Sequence, residues 1–240
     1  KAEIVIGGTA IGRPYTSGAF SVGGDARLAF TQGRDDRPAD IAVFRPGKAP
    51  LQLTDLNSDL MGQRQMARVE RLVWPSSHDE LMIDGWVMKP PGFDPSRQYP
   101  MILEIHGGPH AAYGPNYSTE AQLYAAAGYV VFYTNPRGST SYGDTFANEI
   151  DLAYPGYDYD DLMSGVDALI EKGFVDPTQL FVTGGSGGGV LTAWIVGKTD
   201  RFRAAVVAKP VINWASFVLT ADRNYYFATT WFDAPPWEDY

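Results

Sequence analysis

A single serine lies inside a glycine run, as Gly184-Gly185-Ser186-Gly187-Gly188. This run matches the pattern G-x-S-x-G, and it stands between the apolar "QLFVT" (179–183) and the helix-like "GVLTAWIVGKT" (189–199). A serine on a tight strand-to-helix turn takes up strained backbone angles, and neighbours without side chains leave its hydroxyl exposed. The following helix N-terminus offers N–H groups and a positive dipole end, which suit a developing oxyanion. The pattern therefore indicates a nucleophile at Ser186.

Other uses of a glycine-rich loop fit these residues less well. The phosphate-binding pattern G-x-x-x-x-G-K-[ST] is not matched. The dinucleotide pattern G-x-G-x-x-G, started at Gly185, ends on Val190, and no acidic residue ends the following strand-like "AAVVAK" (204–209). A glycine-rich turn without any chemistry remains the alternative as long as the stretch is considered alone.

A second motif upstream favours catalysis. "EIHGGPHAAYG" (104–114) follows an apolar run and contains His106-Gly107-Gly108-Pro109. In α/β-hydrolases an HGG-type loop after the third strand provides the second oxyanion N–H, and glycines allow a carbonyl to approach the backbone closely. Two motifs in the expected order, each behind a predicted strand, predict a hydrolase.

The elements around these motifs divide the chain at residues 66 and 67. Residues 1–66 contain short strands separated by Gly, Pro and Asp clusters, which is typical of antiparallel sheet such as propeller blades. A polar connection (55–65) precedes the boundary. From residue 67 strands alternate with helices, which predicts parallel βαβ units in a doubly wound sheet. We expect residues 1–66 to be the last blades of a β-propeller and residues 67–240 to be an incomplete α/β-hydrolase domain.

Composition excludes several classes of function. With 19 Lys and Arg against 28 Asp and Glu, the net charge is −9, and the absence of a basic cluster argues against nucleic acid as a partner. No apolar run is long enough for a membrane span. The chain has no Cys, which fits either the cytoplasm or the periplasm. His106 and His110 are four residues apart, but the glycines and proline between them prevent a helical metal site, so no metal or cofactor is predicted.

As an ordered set, several segments of residues 67–240 resemble the prolyl oligopeptidase family of serine peptidases, in particular its acylaminoacyl-peptidase and dipeptidyl-peptidase branches. The matching segments are "HGGPH" (106–110), "NPRGSTSYGDTFANEI" (135–150), "DDLMSGVDALIEKGFVD" (160–176), "GGSGGGVLTAWIVGKTDRFRAAV" (184–206) and "INWASF" (212–217). The resemblance implies a β-propeller before the catalytic α/β-hydrolase domain, which agrees with the strand pattern of residues 1–66.

The resemblance also implies roles for individual residues. Ser186 is the implied nucleophile, and the N–H groups of Gly187 and Gly108 are the implied oxyanion donors. His106 occupies the place of an oxyanion-hole tyrosine in other members. The implied pocket for the residue before the scissile bond is formed by Val211, Trp214 and Phe217. For Arg137 we expect a structural role beside the site, and for Tyr225, Tyr226 and Trp231 ordinary core packing.

Two features depart from the family. Other members usually carry an aromatic residue directly after the nucleophile, where this chain has Gly187, so we expect a lost pocket wall and a more flexible turn. The triad order of α/β-hydrolases places an acid and then a histidine after the serine. No histidine follows Ser186, and Asp200, Asp222, Asp233 and Asp239 are poorly placed for the acid. His78, His106 and His110 are the alternative bases, although none follows the last strand.

The predicted function is that of a serine peptidase that hydrolyses short peptides near their N-terminus through an acyl-enzyme at Ser186. The base is expected from outside these residues, so the 240-residue chain alone is expected to be inactive. An esterase on the same fold is one alternative, and a catalytically incomplete interaction module is the other. The expected partners are a peptide substrate and either a second copy of the chain or the remainder of a longer chain.

Overall fold

The computed structural model describes residues 6–223, 226, 231–232 and 234–238. The chain divides into two compact units. One comprises Lys1–Arg71, Trp86–Asp94 and Tyr113–Val131, and the other comprises Leu72–Gly85, Pro95–Ala112 and Phe132–Tyr240. The boundary between residues 66 and 67 stays a prediction.

The first unit contains a four-stranded antiparallel sheet. Its strands follow the chain order β1 (Phe20–Val22), β2 (Leu28–Gln32), β3 (Asp40–Phe44) and β4 (Leu51–Gln52). They agree with the short strands, separated by Gly, Pro and Asp clusters, that the sequence predicts for residues 1–66. Residues 1–5 lie outside the described residues, and Ile6 forms an isolated bridge to Gln32. A four-stranded antiparallel sheet has the strand number of one propeller blade, and the assignment of residues 1–66 to the last blades of a propeller stays a prediction.

Two helices also belong to the first unit. The short helix α1 (Ser58–Met61) lies within the polar connection predicted at 55–65. Helix α2 (Thr119–Ala126) begins where the Ser118 hydroxyl accepts a hydrogen bond from the Ala121 N–H, an N-terminal cap that satisfies one free donor. It ends before Gly128, whose φ of +95° is the left-handed conformation that glycine adopts readily. The helix predicted for this stretch is therefore confirmed.

The second sheet has six strands in the order β10-β9-β7-β8-β6-β5. Their bounds are β5 (Val69–Pro75), β6 (Met82–Met88), β7 (Tyr99–Ile105), β8 (Val130–Asn135), β9 (Val175–Gly185) and β10 (Phe202–Ala208). Strand β9 pairs in parallel with both β7 and β10. The predicted strand–helix alternation is confirmed.

Among the described residues after β8, the structure contains the helices α3 (Asp144–Asn148), α4 (Asp158–Ile170), α5 (Gly187–Lys198) and α6 (Trp214–Thr220). Helix α4 has three aspartates in its first turn, which complement the positive end of its dipole. Helix α5 is buried over its first six residues because it packs against β9 and β10. Strand β7 is almost entirely buried, as expected for a central strand covered on both faces.

The register brings three chain segments to one edge of the sheet. Ile105 at the end of β7 lies opposite Gly184 in β9, and Ala208 at the end of β10 lies opposite Gly185. Because the three strands are parallel, the loops that follow them emerge together. In open α/β sheets this carboxyl edge is where ligands bind.

Candidate active site

Ser186 forms the turn between β9 and α5 and has a backbone conformation that side-chain-bearing residues rarely adopt. Its φ is +59° and its ψ is −119°, and it is exposed although both of its neighbours are buried. The Ser186 N–H donates to the Ala208 carbonyl at 3.1 Å, and the Ser186 carbonyl accepts from the Val190 N–H at 3.0 Å. Strain of this kind costs about 1–3 kcal/mol and persists only where the surroundings enforce it. These contacts hold the serine at the tip of the turn.

The glycines beside Ser186 allow the backbone of the serine turn to pack closely against the backbone at the end of β7. A Cβ atom on Gly188 would lie 2.1 Å from the Ile105 carbonyl oxygen, and one on Gly184 would lie 2.4 Å from the Gly188 oxygen. Real Cβ atoms essentially never approach other atoms below 3.0 Å, and these atoms are backbone that cannot rotate away. The glycine run therefore serves close packing of the turn against the end of β7, which a glycine-rich flexible linker would not require.

Gly187 and Gly108 face each other across the edge of the sheet. A Cβ atom on Gly187 would lie 2.9 Å from the oxygen and 3.0 Å from the nitrogen of Gly108. Among the described residues, neither the Gly187 N–H nor the Gly108 N–H has a hydrogen-bond acceptor. The two N–H groups predicted as oxyanion donors thus lie on neighbouring chain segments beside Ser186, and both are available to an acceptor.

A side chain on Gly187 would begin against backbone atoms of the loop after β7, while the expected loss of a pocket wall and the more flexible turn stay predictions. The Gly108 backbone occupies the position where a side chain on Gly187 would start. Gly108 has a φ of +128°, which strains any residue with a Cβ atom, and such an atom would also lie 2.7 Å from the His110 nitrogen. The loop after β7 therefore approaches the serine turn closely because neither glycine has a side chain.

His106 is buried and already hydrogen-bonded. Its Nδ1 lies 2.7 Å from the Gly107 carbonyl, and its Nε2 lies 2.9 Å from the Ser139 hydroxyl. Since a carbonyl only accepts, the proton of the ring belongs on Nδ1. The Ser139 hydroxyl, which has one proton, lies within hydrogen-bond distance of both His106 Nε2 and the Pro136 carbonyl, at 2.9 and 2.6 Å. Burial lowers the pKa of His106 to about 4, so the ring is neutral at pH 7. The ring holds the glycine loop, and its nitrogens are not directed to Ser186.

The other two histidines also have defined surroundings. The exposed His78 stacks on Tyr157 with ring centroids 3.5 Å apart. The half-buried His110 donates from Nδ1 to the Gly138 carbonyl at 3.1 Å. Within the described part of the chain, the Ser186 hydroxyl has no hydrogen-bond partner, and hence none of the three is engaged as its base. Asp200 and Asp222 are exposed, and Asp233 and Asp239 lie outside the described residues.

Arg137, in the loop after β8, forms hydrogen bonds with two acidic side chains and lies 4.0 Å from a third, Glu149. Its guanidinium binds Asp161 through Nε and Nη2 at 3.0 and 2.9 Å, and Asp79 through Nη1 and Nη2 at 3.1 and 2.9 Å. The Arg137 side chain is 2% exposed and that of Asp161 is fully buried. Burial opposes the charge of the guanidinium, but these hydrogen bonds outweigh burial and raise the pKa of Arg137. The contacts are those of a structural residue.

An aromatic cluster follows β10. Trp214 lies at the start of α6, where the Asn213 side chain accepts from the Ser216 N–H at 2.7 Å. The Trp214 ring contacts Phe217 edge-on at 5.9 Å and Trp231 at 6.1 Å between centroids. Val211, Trp214 and Phe217 are all half-buried. Trp214 and Phe217 are three residues apart in this helix, and their predicted role as part of a substrate pocket stays a prediction.

The remaining aromatic residues singled out in the sequence differ in exposure. Trp231 is 8% exposed, which agrees with core packing, whereas Tyr226 is 44% exposed and contacts the Trp231 ring at 6.3 Å. Tyr225 lies outside the described residues.

Two further residues, Tyr154 and Asp158, carry no recognisable signal in the sequence. The Tyr154 hydroxyl donates to the Gly187 carbonyl at 3.1 Å. Asp158 is 1% exposed, and burial raises its pKa to about 7. Neither belongs to a recognisable spacing pattern, because Tyr154 lies in a loop and Asp158 is one of several aspartates at the start of α4. The fold brings the Tyr154 hydroxyl to the serine turn and the Asp158 carboxyl near Tyr154.

The described residues show neither a metal centre nor a membrane helix. No group of three or more His, Cys, Asp or Glu residues among them could hold a metal ion. In the same part of the chain, every helix is too short or too polar to cross a bilayer.

Ser186 is an exposed serine at positive φ between a parallel strand and a buried helix, and a glycine loop from the neighbouring strand lies beside it. This arrangement is typical of the nucleophile turn of α/β-hydrolases. The chain belongs to the prolyl oligopeptidase family, whose model matches residues 115–240, more than half of its length. Both the predicted family and the predicted fold class are confirmed.

Individual relatives agree with this assignment. An uncharacterized peptidase, YuxL, of Bacillus subtilis is 43% identical over 199 residues, which cover 82% of this chain and 30% of the relative. Dipeptidyl-peptidase 5 of Schizosaccharomyces pombe is 30% identical over 81% of this chain and 29% of its own length. A solved acylaminoacyl peptidase of Pyrococcus horikoshii superimposes with a TM-score of 0.84 at 27% identity, over 92% of this chain and 35% of that structure. The chain therefore spans about a third of the length of these relatives.

Proposed function

We propose that this chain contributes the nucleophile and the oxyanion hole of a serine peptidase that cleaves short peptides near their N-terminus. The observation that supports this most is the exposed Ser186 at φ +59°, beside the unengaged N–H groups of Gly187 and Gly108. A serine with this strain and exposure fits a nucleophile, and it has no packing role that would otherwise explain it.

In the proposed reaction, the Ser186 Oγ attacks the carbonyl carbon of the scissile peptide bond while a general base takes its proton. The carbonyl oxygen becomes an oxyanion that accepts hydrogen bonds from the Gly187 and Gly108 N–H groups. The base returns the proton to the leaving amine, the C–N bond breaks, and an acyl-enzyme remains on Ser186. Water, deprotonated by the same base, then hydrolyses that ester.

The base is proposed to lie outside the 240 residues. All three histidines precede Ser186, and the contacts of His106 and His110 occupy them elsewhere.

With about a third of the relatives' length covered, we further propose that residues 1–66 act as a propeller segment that restricts access to short peptides.

The side chain before the scissile bond is proposed to be apolar or small. The half-buried Val211, Trp214 and Phe217 follow β10 at the same sheet edge as Ser186. None of them is acidic, so a basic side chain would lose its hydration without gaining an ion pair. A related acylaminoacyl peptidase, with a TM-score of 0.82 and 27% identity, was solved in complex with Z-Gly-Gly-Phe-chloromethyl ketone, whose terminal side chain is aromatic.

The test compares amide and ester substrates in the natural gene product that contains this chain. Aminoacyl-4-nitroanilides and short acyl 4-nitrophenyl esters are assayed for the unmodified protein, for Ser186→Ala, and for Ser77→Ala as a matched exposed serine. Fluorophosphonate labelling followed by peptide mass analysis locates the modified residue. We expect peptide turnover and labelling at Ser186 that only Ser186→Ala abolishes, and no turnover by residues 1–240 alone.

Different results would decide against the proposal in distinct ways. Hydrolysis of peptides that survives Ser186→Ala would refute the nucleophile. Turnover of esters without any turnover of peptides would favour the esterase. Turnover by residues 1–240 alone would show that one of the three histidines serves as the base.

A further inference from the structure

Tyr154 connects the serine turn to the aromatic cluster, although it is 32 residues away in sequence from Ser186. Its hydroxyl donates to the Gly187 carbonyl at 3.1 Å. That carbonyl lies in the first turn of α5, directly after the nucleophile. The hydrogen bond therefore fixes the peptide between Gly187 and Gly188, which is next to the peptide that contains the Gly187 N–H donor. Because Gly187 has no side chain of its own, contacts to its backbone are what can hold it in place.

The ring of Tyr154 packs against the two tryptophans of the cluster. Its centroid lies 6.2 Å from that of Trp214 in an edge-on arrangement and 5.6 Å from that of Trp231. Such aromatic pairs stabilise the fold by more than the burial of their surface alone, because the positive edge of one ring meets the negative face of another. A single side chain therefore contacts both the nucleophile's neighbour and Trp214.

Asp158, at the start of α4, lies close enough to Tyr154 for its charge to act on the Tyr154 hydroxyl. Its Oδ1 accepts from the Gly156 and Tyr159 N–H groups at 2.8 and 2.9 Å, and its buried Oδ2 has no partner among the described residues. Burial raises the pKa of Tyr154 well above its ordinary value, and the nearby Asp158 charge raises it further. The Tyr154 hydroxyl therefore stays protonated across the range in which an enzyme is assayed, and it can always donate to Gly187.

We propose that Tyr154 is a positioning residue of the peptidase site: its hydroxyl fixes Gly187 for oxyanion binding, and its ring holds Trp214 in place for substrate selection. This inference rests on the proposed function, since it assigns Tyr154 a part in that reaction. It does not place Tyr154 in contact with the reacting atoms. The two parts of the side chain have separate tasks, and different substitutions remove them one at a time.

The first experiment measures kcat and KM separately for substrates with a large and a small side chain before the scissile bond. Tyr154→Phe removes the hydroxyl and keeps the ring, so kcat should fall about fivefold on both substrates with KM unchanged. Tyr154→Ala removes both, so the preference between the two substrates should also fall, by about tenfold. Tyr159→Phe, on the same helix turn as Asp158, is the matched control and should leave both quantities unchanged.

The second experiment needs no turnover. Hydrogen–deuterium exchange is measured on the backbone amides of residues 190–194, the first amides of α5 that bond within the helix, in the unmodified protein, Tyr154→Phe and Tyr159→Phe. Loss of the bond to the Gly187 carbonyl should raise the exchange rate of these amides about fivefold in Tyr154→Phe alone. Thermal unfolding of the same proteins verifies that each variant is folded.

The two experiments separate this inference from the proposed function. An active unmodified protein whose Tyr154→Phe variant keeps its kcat and its exchange rates would overturn the inference and leave the peptidase intact. An inactive unmodified protein would refute the proposed function, and exchange alone would then decide whether Tyr154 anchors the serine turn. Unchanged exchange would in that case overturn the inference as well.

Discussion

Arg137→Met should destabilise the protein far more than the loss of a surface ion pair. Arg137 is 2% exposed and lies against the fully buried carboxylate of Asp161, to which its guanidinium makes two hydrogen bonds. Methionine has a similar length and fills the space, but it cannot donate. The Arg137 backbone N–H still donates to the Asp161 carboxylate at 2.8 Å, so one of three hydrogen bonds survives.

The size of the effect follows from the buried charge that is left behind. Removing one partner of a buried ion pair typically costs about 3–5 kcal/mol, because the remaining charge keeps its desolvation penalty without compensation. Asp79 and Glu149, the other acidic side chains beside Arg137, are 37% and 36% exposed and regain hydration, so they add little. With one backbone hydrogen bond to Asp161 retained, we expect a loss of about 3 kcal/mol.

Urea denaturation at pH 7 measures this loss, and two further variants interpret it. Arg201→Met removes the exposed ion pair with Asp167 and should cost less than about 1 kcal/mol. Asp161→Asn combined with Arg137→Met removes the uncompensated charge, so the double variant should be more stable than Arg137→Met alone. A cost for Arg137→Met no larger than that for Arg201→Met would refute the reasoning, as would a double variant without any recovery.

The remaining predictions concern the serine turn and its surroundings. Asp158 has a pKa of about 7 in the folded chain against an ordinary 3.8, so its contribution to stability is present at low pH and is lost as the pH rises towards 7. Asparagine does not titrate. Between pH 5 and pH 8, the free energy of unfolding of Asp158→Asn, measured by urea denaturation, should therefore rise by about 3 kcal/mol relative to that of the unmodified protein. Gly188→Ala should destabilise by more than about 2 kcal/mol, since its Cβ would meet a backbone oxygen at 2.1 Å, whereas Gly197→Ala in the same helix meets nothing within 4 Å and should stabilise by about 0.5–1 kcal/mol. Equal melting temperatures for these two alanine variants would contradict the close-packing argument. At φ +59°, Ser186→Gly should be more stable than Ser186→Ala by about 1 kcal/mol, and calorimetry that ranks them in the opposite order would show that the turn is unstrained.

Local sequence determined the elements and the order of the motifs. Apolar alternation and turn residues predict the strands of the first unit, and glycines at 128 and 173 mark the ends of α2 and α4. The G-x-S-x-G run and the HGG loop each follow a predicted strand, which suffices to place Ser186 and Gly108 at the same edge of a parallel sheet. These features depend on neighbours in the chain, and short-range patterns therefore record them.

The tertiary structure decided what the turn touches. A Cβ atom on Gly187 would lie 2.9 Å from the Gly108 backbone oxygen. This distance depends on how closely the loop after β7 packs against the serine turn in the folded sheet. The hydrogen bond from Tyr154 to Gly187 joins residues 33 positions apart. Likewise, the neutral state of His106 results from complete burial, which no spacing of residues reveals. Contacts between distant segments and the desolvation of individual groups arise only when the strands pair and the helices cover them, and these contacts separate a glycine-rich turn from a candidate catalytic one.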